Sequence, residues 1–169
     1  MKPAFQDLIP HNHCFGCGPQ NSEGLKLKSY WRDDGSSECV YLPQPHQCAG
    51  PTGFVNGCII ATLIDCHCIC TAMAHAYALA GREIGQGQPI WYVTGELNIQ
   101  YLAPTPIDEA IKLVAKVENV SGKKMILSCE LMSVTEAPST PYARATIMAI
   151  QVPSNWLKHA DVPAKCKKS

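Results

Sequence analysis

An excess of charge of either sign is what this sequence most conspicuously lacks. Lysine plus arginine and aspartate plus glutamate number 14 each in 169 residues, so the formal net charge is zero. No basic field is present to gather nucleic acid or to hold the chain on an anionic membrane, and electrostatics alone nominates no partner. The N-terminus, MKPAFQDLIPHNHC, lacks an apolar stretch long enough for a signal peptide. Internal repeats and low-complexity tracts are missing too, which argues against a solenoid or a disordered linker protein. Cysteine is present ten times, but about 6% is below the density of small secreted disulfide scaffolds. Several of these thiols sit inside apolar periodic segments, where cysteine reads as a small core residue. The length suits one domain with a sizeable core. A soluble protein of the reducing cytoplasm is therefore expected.

Residues 1–24 are punctuated by Pro, Gly, Asn and His and read as an irregular N-terminal segment. LKLKSYWR, from Leu25 to Arg32, alternates apolar and polar residues as a half-buried strand does. DDGSS then makes a turn into a second strand, ECVYL. After a Pro/Gly-rich loop, Asn56 to about Ala80 has the Ala, Leu, Ile and Met content and the length of a helix, with Asn56 as N-cap and Gly81 as stop. The run is long enough to raise the question of a membrane span, but Asn56, Asp65, His67 and His75 interrupt it and no charged flanks frame it. Four strands are predicted to follow: IWYVTGELNIQYL, EAIKLVAKVENV, KKMILSCELMSV and YARATIMAIQV. Short connections favour an antiparallel meander among them. Residues 25–152 form the predicted domain and 153–169 a tail of little structure. A helix that is apolar nearly all round must be covered on most sides, and one strongly curved antiparallel sheet would do that in an α+β fold.

Three stretches narrow the choice of fold. CFGCGPQNSEGLKL (Cys14–Leu27), HQCAGPTGFVNGCIIATLID (His46–Asp65) and VTGELNIQYLAPTPI (Val93–Ile107) together resemble the hotdog-fold acyl-CoA thioesterases of the phenylacetate-pathway type. The resemblance runs from about Cys14 to Val152 and implies a hotdog fold, a curved sheet wrapped around one long central helix. It also implies hydrolysis of an acyl-CoA to free acid and CoA, with no cofactor beyond the CoA thioester substrate. The family's His-Gly-Gly triplet before the helical carboxylate stands here as Asn56-Gly57-Cys58, with only the middle glycine kept.

Asp65 is the carboxylate that needs explaining. An ionised group among apolar neighbours is costly unless paired or hydrogen-bonded, and a residue that bears such a cost is often functional. Asp65 lies on a narrow wet stripe, accepts hydrogen bonds from a neighbouring loop, or does chemistry, and its match to the family's acidic position implies the last, as general base or nucleophile. Gly57, the first helical residue, has a backbone N–H with no intrahelical partner at the positive end of the helix dipole. It either eases the chain into the helix or faces a thioester oxyanion. The two residues are eight apart, about 12 Å along a helix at 1.5 Å per residue, so one chain's pair can hardly serve one carbonyl carbon. Sharing each site between two subunits resolves this, which predicts a homodimer or a dimer of dimers.

Weaker candidates surround this pair. Asn56 either caps the helix or orients substrate, His46 and Gln47 are candidate lining residues of an acyl or pantetheine channel, and Thr94 is a candidate for positioning the acyl group. Lys123 and Lys124, at a predicted hairpin tip, could meet CoA phosphates as basic residues do in similar proteins; Arg82 is a poorer candidate. HNHCFGCG suggests a metal, but a structural zinc site needs four convergent ligands and no second CxxC or HxxxH is present. Cys66, Cys68 and Cys70, each two apart on a helix, do not converge with one another and read as core fillers, so no metal is expected. An acyl-CoA thioesterase is the resulting expectation, with a non-catalytic acyl-CoA-binding or regulatory domain as the alternative.

Overall fold

The apolar run becomes α1, Gly57–Leu79, 23 residues long. Asn56 begins it in an extended conformation, and its Oδ1 accepts the Cys58 N–H at 2.8 Å, which satisfies one of the orphan donors of the first turn. Gly81 ends it at φ +66°, where only glycine avoids a steric cost. The computed structural model of the chain describes residues 3–135, 140–153 and 156; most of the expected C-terminal tail lies outside them. By length and composition α1 could cross a membrane, but here it is the central helix of a sheet-wrapped core.

The sheet comprises β1 (Tyr30–Trp31), β2 (Ser37–Tyr41), β3 (Trp91–Tyr101), β4 (Ile111–Ser121), β5 (Lys124–Ser133) and β6 (Ala143–Val152). All pairings are antiparallel, in the order β1-β2-β4-β5-β6-β3. Leu63, Ile64 and Ala72 of α1 are fully buried, as are Ile111, Leu113, Leu127, Leu131 and Ile147 on the sheet face opposite. Each such Leu or Ile contributes roughly 1.5–3 kcal/mol from burial alone. Period-2 burial along β4, β5 and β6 is the hydrophobic alternation of the sequence put to work. One curved sheet about one long helix is the hotdog fold.

Two sequence expectations are corrected. The strand expected over Leu25–Arg32 is reduced to Tyr30–Trp31, because the Leu25 and Leu27 N–H groups donate to Phe15 and Gly16 carbonyls at 2.8 and 3.1 Å, and Lys26 takes φ +56°. That stretch is spent on holding the CFGC loop. The four later strands are also not a simple meander: β4, β5 and β6 are, but β3 pairs with β6 at the far edge. The β3–β4 connection runs past the helix start, where Val55 N–H donates to Thr105 O at 2.9 Å, and so delivers β4 beside β2.

The N-terminal segment is irregular apart from a short 3-10 helix at Phe5–Leu8, yet it packs onto the core through Ala4, Phe5, Ile9 and Cys17. Gln6 donates to Ser29 Oγ, which meets His67 Nδ1 at 2.8 Å; His67 Nε2 faces Ser37 Oγ at 3.3 Å, and Ser37 meets Thr71 at 2.6 Å. This chain satisfies the buried polar side chains of α1 on that side. Full burial holds His67 down to a pKa of about 4, so it stays neutral.

Candidate active site

Asp65 lies half-buried on the flank of α1 beside β3. Burial raises its pKa from the ordinary aspartate value, and a hydrogen bond from the Thr94 hydroxyl partly opposes that rise. Thr94 reaches it because β3 carries a bulge between Thr94 and Glu96. Gly95 is the extra residue, and a Cβ there would stand 2.4 Å from Ile150 Cδ1. The bulge shifts the pleat by one, so that Thr94 before it and Tyr101 after it both face the helix. Tyr101 Oη donates to the Gly57 carbonyl at 2.9 Å. One strand thus touches both ends of the site. Among the described residues no acceptor takes the Gly57 N–H, which leaves that donor free at the positive end of α1.

The other expected residues divide into two groups. Asn56, His46 and Gln47 come together with Phe15, Leu25 and Ile59 around a cavity of about 410 Å³ at the helix start. His46 is exposed at its rim, whereas the Gln47 amide turns inward, donating to Tyr41 Oη at 2.7 Å and accepting from Gln44 N–H at 2.9 Å. Gln47 O also accepts the Asn56 N–H at 2.9 Å, which ties the loop to the cap. Lys123 and Lys124 stand exposed at the β4–β5 turn, away from this cavity. Register places Lys124 opposite Ile150 and Ile150 opposite Val93, the neighbour of Thr94. The turn therefore lies about 10 Å across the sheet from the Asp65 end of the site. Arg82 is committed to its own loop, donating to Gln86 and Gln88 carbonyls at 2.9 and 3.1 Å.

Cys66, Cys68 and Cys70 are buried in the core, as expected of core fillers, but two of them also meet the N-terminal loop. The three do not converge with one another, but Cys66 Sγ lies 3.5 Å from Cys14 Sγ and Cys70 Sγ lies 3.9 Å from Cys17 Sγ. Cys66 and Cys70 are four apart, one turn of α1, and therefore share a face. That spacing was present in the sequence; which loop it faces was not. Tyr101 and Gly95 likewise carried no sequence signal, since their roles depend on which strand overlies α1. A cavity of about 680 Å³ is lined by Glu96, Ser128, Glu130, Arg144 and Thr146 among others, on the sheet face turned away from α1, and does not include Asp65.

Residues 52–138 match the model of the thioesterase superfamily. The chain belongs to the thioesterase superfamily. A solved thioesterase superfamily protein from Shewanella loihica is 34% identical, with 85% of this chain and 96% of that one covered at a TM-score of 0.59. A protein from Bacillus halodurans solved with CoA has the same fold at 23% identity, with 76% of each chain covered and a TM-score of 0.55. The acyl-coenzyme A thioesterase THEM4 of Xenopus laevis is 31% identical over 114 residues, 68% of this chain and 44% of that protein. The chain thus spans less than half the length of the curated relatives it matches.

Proposed function

We propose that the chain hydrolyses an acyl-CoA thioester to the free carboxylic acid and CoA. One observation carries this reading: the carboxylate of α1, Asp65, is half-buried, raised by burial and gripped by Thr94 at the flank beside the edge strand. Such a group binds a water proton better than an exposed carboxylate and is oriented while doing so. The THEM4 relatives, named as acyl-coenzyme A thioesterases, and the CoA in the Bacillus halodurans protein support the choice of substrate.

In the proposed site the thioester oxygen accepts the free Gly57 N–H of one protomer while its carbon faces Asp65 of the partner. Asp65 takes a proton from water as the water oxygen attacks; the oxyanion rests on the Gly57 N–H and the helix dipole. The C–S bond then breaks, and the CoA sulfur leaves with the proton held by Asp65. Equally consistent with the geometry, Asp65 attacks directly, forms a mixed anhydride with loss of CoA, and is released by water. Asn56 fixes the donor by capping the helix, and the cavity walled by His46 and Phe15 takes part of the substrate. Lys123 and Lys124 lie where CoA phosphates would emerge at the Asp65 end.

The test is a panel of acyl-CoA substrates followed by mass spectrometry for the acid and CoA, since thiol dyes would also react with the protein's own cysteines. Release of both products in equal amounts supports the reading. Saturable binding of every acyl-CoA without turnover would instead assign a binding or regulatory domain, a possibility raised by the altered Asn56-Gly57-Cys58 triplet.

A further inference from the structure

We propose that Cys14, Cys17, Cys66 and Cys70 bind one zinc ion that fastens the N-terminal segment to α1. The Sγ atoms of Cys14, Cys17 and Cys66 all lie within 4.8 Å of one another, with Cys14 and Cys66 at 3.5 Å. Cys70 Sγ stands outside this trio, on the next turn of the helix, but 3.9 Å from Cys17 Sγ, within reach of a fourth ligand position. Four sulfurs around a tetrahedral zinc at about 2.3 Å stand about 3.8 Å apart, so the two closest approaches already match the edges of such a site. A cluster of several irons would hold its thiolates farther apart. Both ligand pairs have chelating spacings: a CxxC in a loop, and a pair at i and i+4 on one helix face, the spacing that the two histidines of a helical H-E-x-x-H use for zinc.

The loop is shaped to bring its thiols to the helix. A Cβ on Gly16 would stand 2.4 Å from Cys66 Sγ, and one on Gly18 would stand 2.4 Å from Cys14 N, so glycine is required at both places for the approach and for the tight turn. Gly18 N–H donates to Cys14 O at 2.8 Å, and Cys14 N–H donates to Asn12 Oδ1 at 3.1 Å, which closes the turn. The Asn12 amide also points at Cys17 Sγ from 3.8 Å, and a donor so placed orients a thiolate ligand. Binding exchanges four thiol protons for one Zn²⁺ and needs no oxidant, whereas the competing outcome, a Cys14–Cys66 disulfide, needs one.

The consequence for activity rests on the thioesterase reading. Phe15, in the middle of the chelating CFGC loop, lines the cavity with His46 and Asn56, and Cys66 follows Asp65 directly in α1. The ion would fix one wall of the substrate cavity relative to the helix that carries the carboxylate.

The test uses untagged full-length protein purified under reducing conditions without added metal, with metal content read by elemental mass spectrometry. We expect about one zinc per chain in the wild type and in Cys129→Ala, which lies outside the cluster, and at least a tenfold loss in Cys66→Ser. Replacement of zinc by Co²⁺ should give the intense visible bands of a tetrahedral four-sulfur centre, and this measurement on the wild type decides the matter even if Cys66→Ser does not fold. Reduced wild-type protein without stoichiometric zinc and without cobalt bands would overturn the proposal. So would bands that survive in folded Cys66→Ser, or a Cys14–Cys66 disulfide in the protein as purified. Metal content is independent of turnover, so failure of this site and failure of the thioesterase reading give different results.

Discussion

At the scale of single residues, the proposed chemistry depends on how Asp65 is held. Thr94 donates to it, burial lifts its pKa, and eight residues earlier Gly57 keeps its N–H free while Tyr101 takes its carbonyl. Asp65, Gly57 and Asn56 were legible in the sequence because each breaks a local pattern: a charge in an apolar run, a glycine at a helix start, a capping side chain just before it. Thr94 was legible only as a candidate for positioning the acyl group, and the structure adds its hydrogen bond to Asp65. Tyr101 and Gly95 were illegible because their roles arise from the register of β3 against α1 and β6, which no local pattern encodes. Asp65→Asn keeps the size of the side chain and removes its charge. If Asp65 is base or nucleophile, kcat should fall at least about 100-fold while acyl-CoA binding survives. The melting temperature should hold or rise, because a buried amide costs less than a buried carboxylate. A thermal melt beside steady-state kinetics checks both; retained turnover with a lower melting temperature would make Asp65 a structural residue.

At the scale of elements, the helix was the most legible part, since length, cap and glycine stop all agree on Asn56 to Gly81. The strands were found, and so were the neighbours joined by short turns, but the place of β3 beside β6 was not. Turn chemistry identifies a hairpin such as β4–β5, whereas the pairing of β3 with β6 is set by a loop that must first pass the helix start. The strand read at Leu25–Arg32 shortened because its donors serve the CFGC loop, a tertiary demand that outweighed the alternating pattern. The same loop brings Cys14 and Cys17 against Cys66 and Cys70, which remain buried in the core. The β4–β5 turn makes a prediction of its own. Phosphate contacts far from the reacting carbonyl bind ground and transition states about equally, so changing Lys123 and Lys124 to Ala should raise KM several-fold and leave kcat nearly alone. The effect should shrink between low and moderate salt. A KM that does not change in either condition would leave these lysines as solvated turn residues.

At the scale of the whole molecule, the proposed shared site makes the described chain one half of a dimer. β3 is an eleven-residue edge strand whose outer side pairs with no strand among the described residues, and such an edge invites a partner. Beside it Phe54, Tyr101 and Leu102 expose 40%, 54% and 46% of their surface around the helix start. A symmetric dimer joined along β3 would cover them and bring the Gly57 end of one helix towards Asp65 of the other, as the distance along α1 requires. Two variants separate this arrangement from a site within one chain. Asp65→Asn removes the acid. Gly57→Pro removes only the N–H donor, since proline is tolerated as the first helical residue and Asn56 before it already has the extended conformation, φ −63° and ψ 136°, that a following proline demands. Each variant alone should sediment as a dimer and lose about 100-fold or more of turnover. The decisive measurement is turnover after the two are mixed in equal amounts and allowed to exchange subunits. A shared site gives every mixed dimer one intact pair, Asp65 from one chain and Gly57 from the other, so activity should return to about a quarter of the wild-type value per chain. Mixed dimers that form but stay as inactive as either parent would contradict the shared site.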